Sequence, residues 1–286
     1  MPAEHRKPFW LYPNLLSLDA PLVAVAWLYV FAKTWRLGYH PWEAYVTLGL
    51  AVWVIYVVDR LLDASLLVGM PGRLDVRHRF HHEYRRIFHI GLAVALFVAL
   101  VLVLTKMPMT IYKYLFLGAV LLAGFFGLSM LSSQDADEAP LTKNVLAGVT
   151  FAFGTSMTAH IYRPELGILE MLRSREFVCF AVLCVLNISA IDLWQHASRA
   201  ADPEIKASDE LALSLPLTLL GGTSLVFALL DDEQSTRPFF YAVLTGSALL
   251  YILNRRRAEF SMDALRVLAD VALLVPVLVF LASAGE

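Results

Sequence analysis

Long apolar runs without an acidic or basic residue recur along the whole chain, and they constrain its fold more than any other feature. Five runs are long and uninterrupted, and four are shorter before a charged residue intrudes. The five cover residues 87–105, 114–134, 144–162, 211–230 and 238–254, and the four cover 20–32, 44–58, 177–191 and 271–285. A helix needs about 20 mostly apolar residues to cross the hydrocarbon core. Each shorter run is long enough if its charges lie at the helix ends or face the protein interior, so the sequence predicts nine membrane spans.

The composition agrees with a membrane protein, because 58% of the residues are hydrophobic and only 17% are charged. Such values are far from those of ordinary soluble domains. The connecting segments are mostly short, which predicts one all-α transmembrane domain over residues 1–286. The net charge of −2 says nothing about polyanionic partners, because it hides local imbalances of charge. For a chain of this composition we expect membrane lipid, and not nucleic acid, as a partner.

The positions of Lys and Arg predict how the spans are oriented. Of the 23 Lys and Arg residues, fifteen fall in segments on the same side as the amino terminus and eight on the opposite side. Cytoplasmic segments of membrane proteins are enriched in these residues. We therefore expect a cytoplasmic amino terminus, a carboxyl terminus outside, and placement in a cell membrane of bacterial type.

The second span ends in a pair of carboxylates, Asp59 and Asp63, followed by further apolar residues. Their spacing of four residues puts both on one face of a helix. Carboxylates inside a membrane are costly and usually face a cavity, a partner or a cation. A hard, oxygen-ligated cation such as Mg²⁺ between them would offset their repulsion. A structural network with Arg60 or an arginine of the following segment is an equally simple interpretation.

The sixth span carries a second polar group of residues. Asp192 and His196 again lie four residues apart, at the same expected depth and on the same side as the first pair, and Asn187 precedes them. Two such groups on separate spans predict two walls of one chamber. The alternative for His196 is an interfacial histidine bonded to a backbone carbonyl, and for Asn187 a hydrogen bond between helices.

Basic residues surround the expected mouth of this chamber. Arg77 and Arg79 follow the first acidic pair, and Lys143 begins the fifth span. Guanidinium groups and Mg²⁺ together suit a diphosphate, although a run of positive charge is more commonly a cytoplasmic loop signal. A His-x-x-His-His pattern, formed by His78, His81 and His82, is typical of some di-iron enzymes, but those need several such boxes.

The two acidic groups on nine spans resemble those of the UbiA superfamily of intramembrane prenyltransferases. In that family, aspartate-rich motifs lie on helices two and six of a nine-helix fold. The first motif reads Asn-Asp-x-x-Asp-x-x-x-Asp, and its last two aspartates match Asp59 and Asp63. The first two positions are occupied by Ile55 and Tyr56 instead.

The second motif is matched at its middle aspartate by Asp192, with Ser189 and His196 at the flanking positions. Lys143 is similar to the lysine that begins helix five in the family. The resemblance implies that Asp59, Asp63 and Asp192 hold Mg²⁺ and an isoprenoid diphosphate in a cytoplasm-facing chamber. Arg77, Arg79, Lys143, His196 and Asn187 are the implied substrate-binding residues.

The activity that this resemblance implies is transfer of an isoprenoid from its diphosphate to a lipophilic acceptor. Three other hypotheses remain at the sequence level. A terpene cyclase would capture the same carbocation with its own double bond, and an isoprenoid-binding protein would not turn its ligand over. A transporter would use the intramembrane charges as an ion path, but no pair of interrupted spans in matching halves favours this.

Overall fold

The chain forms a bundle of helices in the computed structural model, which describes residues 8–67, 76–132, 141–163, 165, 167–231 and 236–284. No strand occurs within those ranges. The helices are α1 (Tyr12–Leu15), α2 (Asp19–Thr34), α3 (Trp42–Leu67), α4 (Val76–Glu83), α5 (Arg85–Lys106), α6 (Ile111–Ser132), α7 (Leu141–His160), α8 (Ile168–Arg173), α9 (Arg175–Arg199), α10 (Pro203–Leu229), α11 (Arg237–Arg255) and α12 (Met262–Ser283). Two short 3₁₀ turns, Phe9–Leu11 and Arg257–Glu259, complete the described structure.

Nearly all of the described residues of each predicted apolar run lie in a helix, but fewer helices qualify as membrane spans by length and composition. Among the described residues six qualify, namely α3, α5, α6, α9, α10 and α12. A seventh results if Phe9–Leu15 and Asp19–Thr34, which meet at an angle of 79°, form one broken span. The chain is therefore a multi-pass membrane protein, and the count of nine spans stays a prediction.

Helix α9 lies at the centre of the bundle, and α5 and α6 lie at its edge. In the most apolar window of each helix, 61% of α9 is buried, against 17% of α5 and 11% of α6. An aromatic cluster fills the space between α2, α9 and α11. Trp27 stacks on Phe180 with ring centroids 4.4 Å apart, and Phe239 meets Trp27 edge-on at 5.7 Å.

Polar side chains fix the positions of the central helices. Trp27 donates its indole N–H to the carbonyl oxygen of Leu273 at 2.8 Å, which connects α2 to α12. Trp194 donates in the same way to Oδ1 of Asn254 at 2.9 Å, which connects α9 to α11. Buried indole N–H groups need such partners, because an unmade hydrogen bond is costly in an apolar interior.

The connecting segments are more helical than the apolar pattern predicts. Helix α10 begins at Pro203, eight residues before the apolar run at 211, and Asp202 caps it by accepting a hydrogen bond from the backbone N–H of Glu204 at 2.8 Å. Residues 68–86, which we call the basic segment, contain α4, and the first part of this segment, 68–75, lies outside the described residues. Polar helical turns therefore extend beyond the apolar runs at the end of the bundle where α4 lies and α10 begins.

Candidate polar site at the end of the bundle

The acidic pair lies near the carboxyl end of α3. Asp59 and Asp63 are both half-buried, and their spacing of four residues places them on one side of the helix. Each carboxyl group is close enough to Arg77 and Lys143 for electrostatic interaction, and Asp59 also interacts with Asp63. Helix α3 therefore contributes two carboxyl groups to this end of the bundle, and α4 and α7 each contribute one cationic group beside them.

Lys143 approaches this place from the first turn of α7. Its ammonium group lies 5.8 Å from the centroid of the Phe125 ring on α6. The next residue, Asn144, is buried with 7% of its surface exposed, and its Nδ2 donates to Oδ2 of Asp192 at 2.8 Å. Asp192 on α9 is thereby held at the end of the bundle where the acidic pair lies.

Asn187 makes a contact between helices. Its Nδ2 donates to the carbonyl oxygen of Ala269 at 2.8 Å, and the residue is 5% exposed. This bond connects α9 to α12 inside the bundle. The amide donor of Asn187, which the resemblance assigns to substrate binding, is used in helix packing.

His196 and Arg79 lie at the surface. His196 Nδ1 is 2.8 Å from Oδ2 of Asp209, and 55% of the histidine side chain is exposed. This contact joins the last turn of α9 to the first part of α10. Arg79 is exposed on α4, and so is His82, whereas the side chain of His78 lies outside the described residues.

His81, the central histidine of the basic segment, is fully buried and holds α4 in place. Its Nε2 lies 3.2 Å from the hydroxyl of Ser17, and its Nδ1 lies 2.9 Å from the carbonyl oxygen of Arg77. The imidazole stacks on the Phe88 ring with centroids 4.1 Å apart. Burial lowers the pKa of His81 to about 4, so the ring is neutral at ordinary pH.

Arg60 lies next to Asp59 in the sequence but belongs to a separate buried network. It is 4% exposed, its Nη2 lies 3.7 Å from Oδ2 of Asp19, and its Nη1 donates to the carbonyl oxygen of Asn14. The Asn14 amide donates to the same carboxylate. Asp270 of α12 places its carboxyl group within hydrogen-bonding reach of Asp19. Arg60 therefore faces the bundle interior.

Sequence reasoning missed Asp19 and Asn14 as partners of Arg60. Arg266 Nη1 lies 3.4 Å from Oδ1 of Asp263, one turn earlier on α12. Asp19 could have been noticed in the sequence, because it directly precedes the first apolar run and a charge at that depth in a membrane needs a partner. Nothing in the linear sequence said which of several arginines that partner would be.

The chemistry that this end of the bundle can perform follows from its donors. Two carboxylates can share a cation, and a guanidinium and an ammonium group can receive an anion. Within the described ranges, no three His, Cys, Asp or Glu side chains form a group that could hold a metal ion by themselves.

Comparison of the chain with protein-family models, with curated proteins and with solved structures gives no match.

Proposed function

We propose that this protein is a magnesium-dependent membrane enzyme of the UbiA type that transfers an isoprenoid from its diphosphate to a lipophilic acceptor. The observation that carries the proposal is the convergence of Asp59 and Asp63 with Arg77 and Lys143 from three helices. A carboxylate pair beside two cations at the end of an apolar bundle fits an amphiphile with a charged head and a hydrocarbon tail. The excess of Lys and Arg on this side favours a cytoplasm-facing site, with the amino terminus inside.

The donor set is compatible with Mg²⁺. Magnesium usually binds through one or two carboxylates together with substrate phosphates and water, so Asp59 and Asp63 are sufficient protein ligands for one ion. Asp192, whose Oδ2 accepts from Asn144, has a second oxygen through which it would assist. When bound, the ion would withdraw negative charge from the diphosphate and make it a better leaving group.

The residues of the chain would orient and stabilise the leaving group. Arg77 and Lys143 would donate hydrogen bonds to diphosphate oxygens, Arg77 in a bidentate manner. As the allylic carbon–oxygen bond breaks, its electron pair passes to the diphosphate, and these two cations stabilise the added charge. The acceptor then supplies an electron pair to the allylic carbon and loses a proton.

A second function, binding of isoprenoid diphosphate without turnover, is favoured by one observation. Polar groups that the family resemblance assigns to the site are used in helix contacts, because Asn187 donates to Ala269 and Asp192 accepts from Asn144. A site with fewer free polar groups binds its ligand but positions the reacting atoms less closely.

Both functions can be tested with purified full-length protein in detergent and farnesyl diphosphate. The enzyme hypothesis predicts Mg²⁺-dependent diphosphate release that falls at least 100-fold in Asp59→Asn and Asp63→Asn. The matched control is Asp202→Asn, which removes a carboxylate at the exposed start of α10 and retains a capping side chain.

The outcomes separate the hypotheses. Release accompanied by a cyclic product in the absence of an acceptor identifies a terpene cyclase. Saturable Mg²⁺-dependent binding without release, weakened by Asp59→Asn, identifies a binding protein. If farnesyl diphosphate neither binds nor reacts, and geranyl and geranylgeranyl diphosphate also fail, the proposal is wrong.

A further inference from the structure

A polar cavity lies at the opposite end of the bundle from Asp59. Its volume is about 330 Å³. Residues at the ends of α2 and α7, in α8 and at the start of α9 line it. Helix α7 extends from one region to the other, because Lys143 lies in its first turn and His160 is its last residue. At a rise of about 1.5 Å per residue, Lys143 and His160 lie roughly 25 Å apart along the helix axis, so this cavity is independent of the proposed active site.

Two buried polar atoms among the lining residues have no hydrogen-bond partner among the residues that the structure describes. These are Oγ1 of Thr34, a residue that is 6% exposed, and Nε2 of His160, which is 2% exposed. The other ring nitrogen of His160 lies 2.6 Å from the hydroxyl of Tyr114. When that phenol donates to Nδ1, the ring proton is on Nε2. Buried donors normally have partners, so these two atoms are available to a ligand in the cavity.

Charged residues of both signs also line the cavity. Arg36 and Arg163 contribute guanidinium groups, and Glu170 and Glu176 contribute carboxylates. One oxygen of Glu170 accepts from the backbone N–H of Gly167 at 3.0 Å, which leaves its other oxygen for a ligand. Equal numbers of the two charges suit a ligand that carries both, because an ion of one sign would meet as much repulsion as attraction.

The backbone of Arg36 adds an independent observation. Arg36 follows the end of α2 and has a φ of 52°. The backbone N–H of Arg36 donates to the carbonyl oxygen of Lys33, and that of Leu37 donates to the carbonyl oxygen of Ala32. Glycine is usual at this position of the helix end, since its positive φ is free of strain there. A strained residue of this kind is more common at functional positions, which fits a guanidinium kept there for binding.

We propose that this cavity binds an aminoalkyl phosphate, either free or as the head group of a phospholipid such as phosphatidylethanolamine. Arg36 and Arg163 receive the phosphate, for which guanidinium groups are suited by their bidentate geometry. Thr34 and His160 donate to its remaining oxygens. Glu170 and Glu176 receive the ammonium group. The cavity lies where the apolar runs of α2 and α7 end, a position that a lipid head group would share where these helices cross the bilayer.

Calorimetric titration of the purified full-length protein with phosphoethanolamine tests the soluble form of this ligand. We expect saturable binding that is at least 10-fold tighter than that of inorganic phosphate or ethanolamine alone. Phosphocholine should also bind at least 10-fold more weakly, because its quaternary nitrogen cannot donate to Glu170 or Glu176. Equal affinity for inorganic phosphate or phosphocholine would overturn the zwitterionic site.

The variant Arg36→Gly separates binding from folding. It removes the guanidinium and places glycine where the backbone favours it, so the melting temperature should be unchanged or higher while affinity falls at least 10-fold. Glu176→Gln should lower affinity for phosphoethanolamine but not for inorganic phosphate. The control is Arg173→Gln on the exposed part of α8, which should change neither quantity. Unchanged affinity in Arg36→Gly contradicts the proposal.

Native mass spectrometry distinguishes the two sources. Protein released from nanodiscs that contain equal amounts of phosphatidylethanolamine and phosphatidylcholine should retain the former, and Arg163→Gln should abolish this retention. Binding of phosphoethanolamine without lipid retention identifies a free aminoalkyl phosphate as the ligand. If neither the soluble compound nor the lipid binds selectively, the proposal is wrong.

Discussion

Arg60 and Asp19 form an ion pair inside the helical bundle, with 3.7 Å between Nη2 and Oδ2. The pair connects α3 to the start of α2, and the side chains are 5% and 10% exposed. A buried charge that loses its partner is strongly destabilising, because it keeps its desolvation cost without the compensating attraction. Removing one member of this pair should therefore lower the free energy of unfolding measurably.

Asp19→Ala should lower the free energy of unfolding by about 1–3 kcal/mol, because Asn14 and Arg60 lose a buried acceptor while Asp270 still lies near Arg60. The control is Arg255→Ala, which removes an exposed partner of Glu210 while Arg257 remains bonded to that carboxylate. Its loss should be below about 1 kcal/mol. Denaturant titration in mixed micelles measures both. Equal losses would show that the Arg60–Asp19 pair is not buried in solution.

The stability of the protein should fall as the pH is lowered from about 6.5 towards 4. The His81 pKa of about 4 lies below that of the unfolded chain, so between these values the unfolded chain binds the proton and the folded protein does not. The full effect is up to about 3 kcal/mol and is lost in the acid direction. Melting temperatures of wild type and His81→Gln across this range check it, and parallel pH profiles would contradict it.

Gly148 should not tolerate a side chain. A Cβ atom there would lie 2.6 Å from the backbone nitrogen of Val185 on α9, which cannot move away as a flexible side chain could. Gly148→Ala should cost about 1–3 kcal/mol through overpacking. Gly154 on the same helix has nothing within 4 Å of such an atom, so Gly154→Ala should be neutral or stabilising. Similar melting temperatures for the two variants would refute the close approach of α7 and α9.

The bond from Asn144 to Asp192 should appear as energetic coupling between α7 and α9. In a double-mutant cycle with Asn144→Ala and Asp192→Ala, we expect a coupling of about 1–3 kcal/mol, as for a hydrogen bond to a charged group. The cycle on unfolding free energies separates this contact from the other effects of each substitution. Strictly additive losses would mean that the two side chains do not interact.

The apolar pattern predicted the locations of the long helices well, since nearly all of the described residues of each apolar run lie in a helix. It predicted their ends less well, because α10 begins in a polar stretch that is stabilised by the Asp202 cap and by contacts with other helices. The bond from Asn254 Nδ2 to the carbonyl oxygen of Glu210 at 3.0 Å is one such contact. Hydropathy cannot detect polar helical turns that are held by tertiary hydrogen bonds.

The sequence likewise predicted one part of the candidate site, and the other part depended on how the helices pack. The spacing of Asp59 and Asp63 determined that they share a helical face, because helical periodicity is a local property. Whether Lys143 and Arg77 approach that face depended on the packing of α7 and α4 against α3, and the sequence could only suggest it. The interfacial histidine proposed at 196 contacts Asp209, a residue that the sequence pattern did not single out.

By itself, then, the sequence determined that this chain is helical, multi-pass and acidic at the end of one particular helix, since all three follow from local composition and periodicity. Only the tertiary structure decided which charges meet. Asp19 and Arg60 are 41 residues apart in the chain, and the cavity beside His160 combines residues from several helices. Buried charges acquire partners, and buried polar atoms come to line one cavity, through packing between distant segments, which local sequence patterns do not specify.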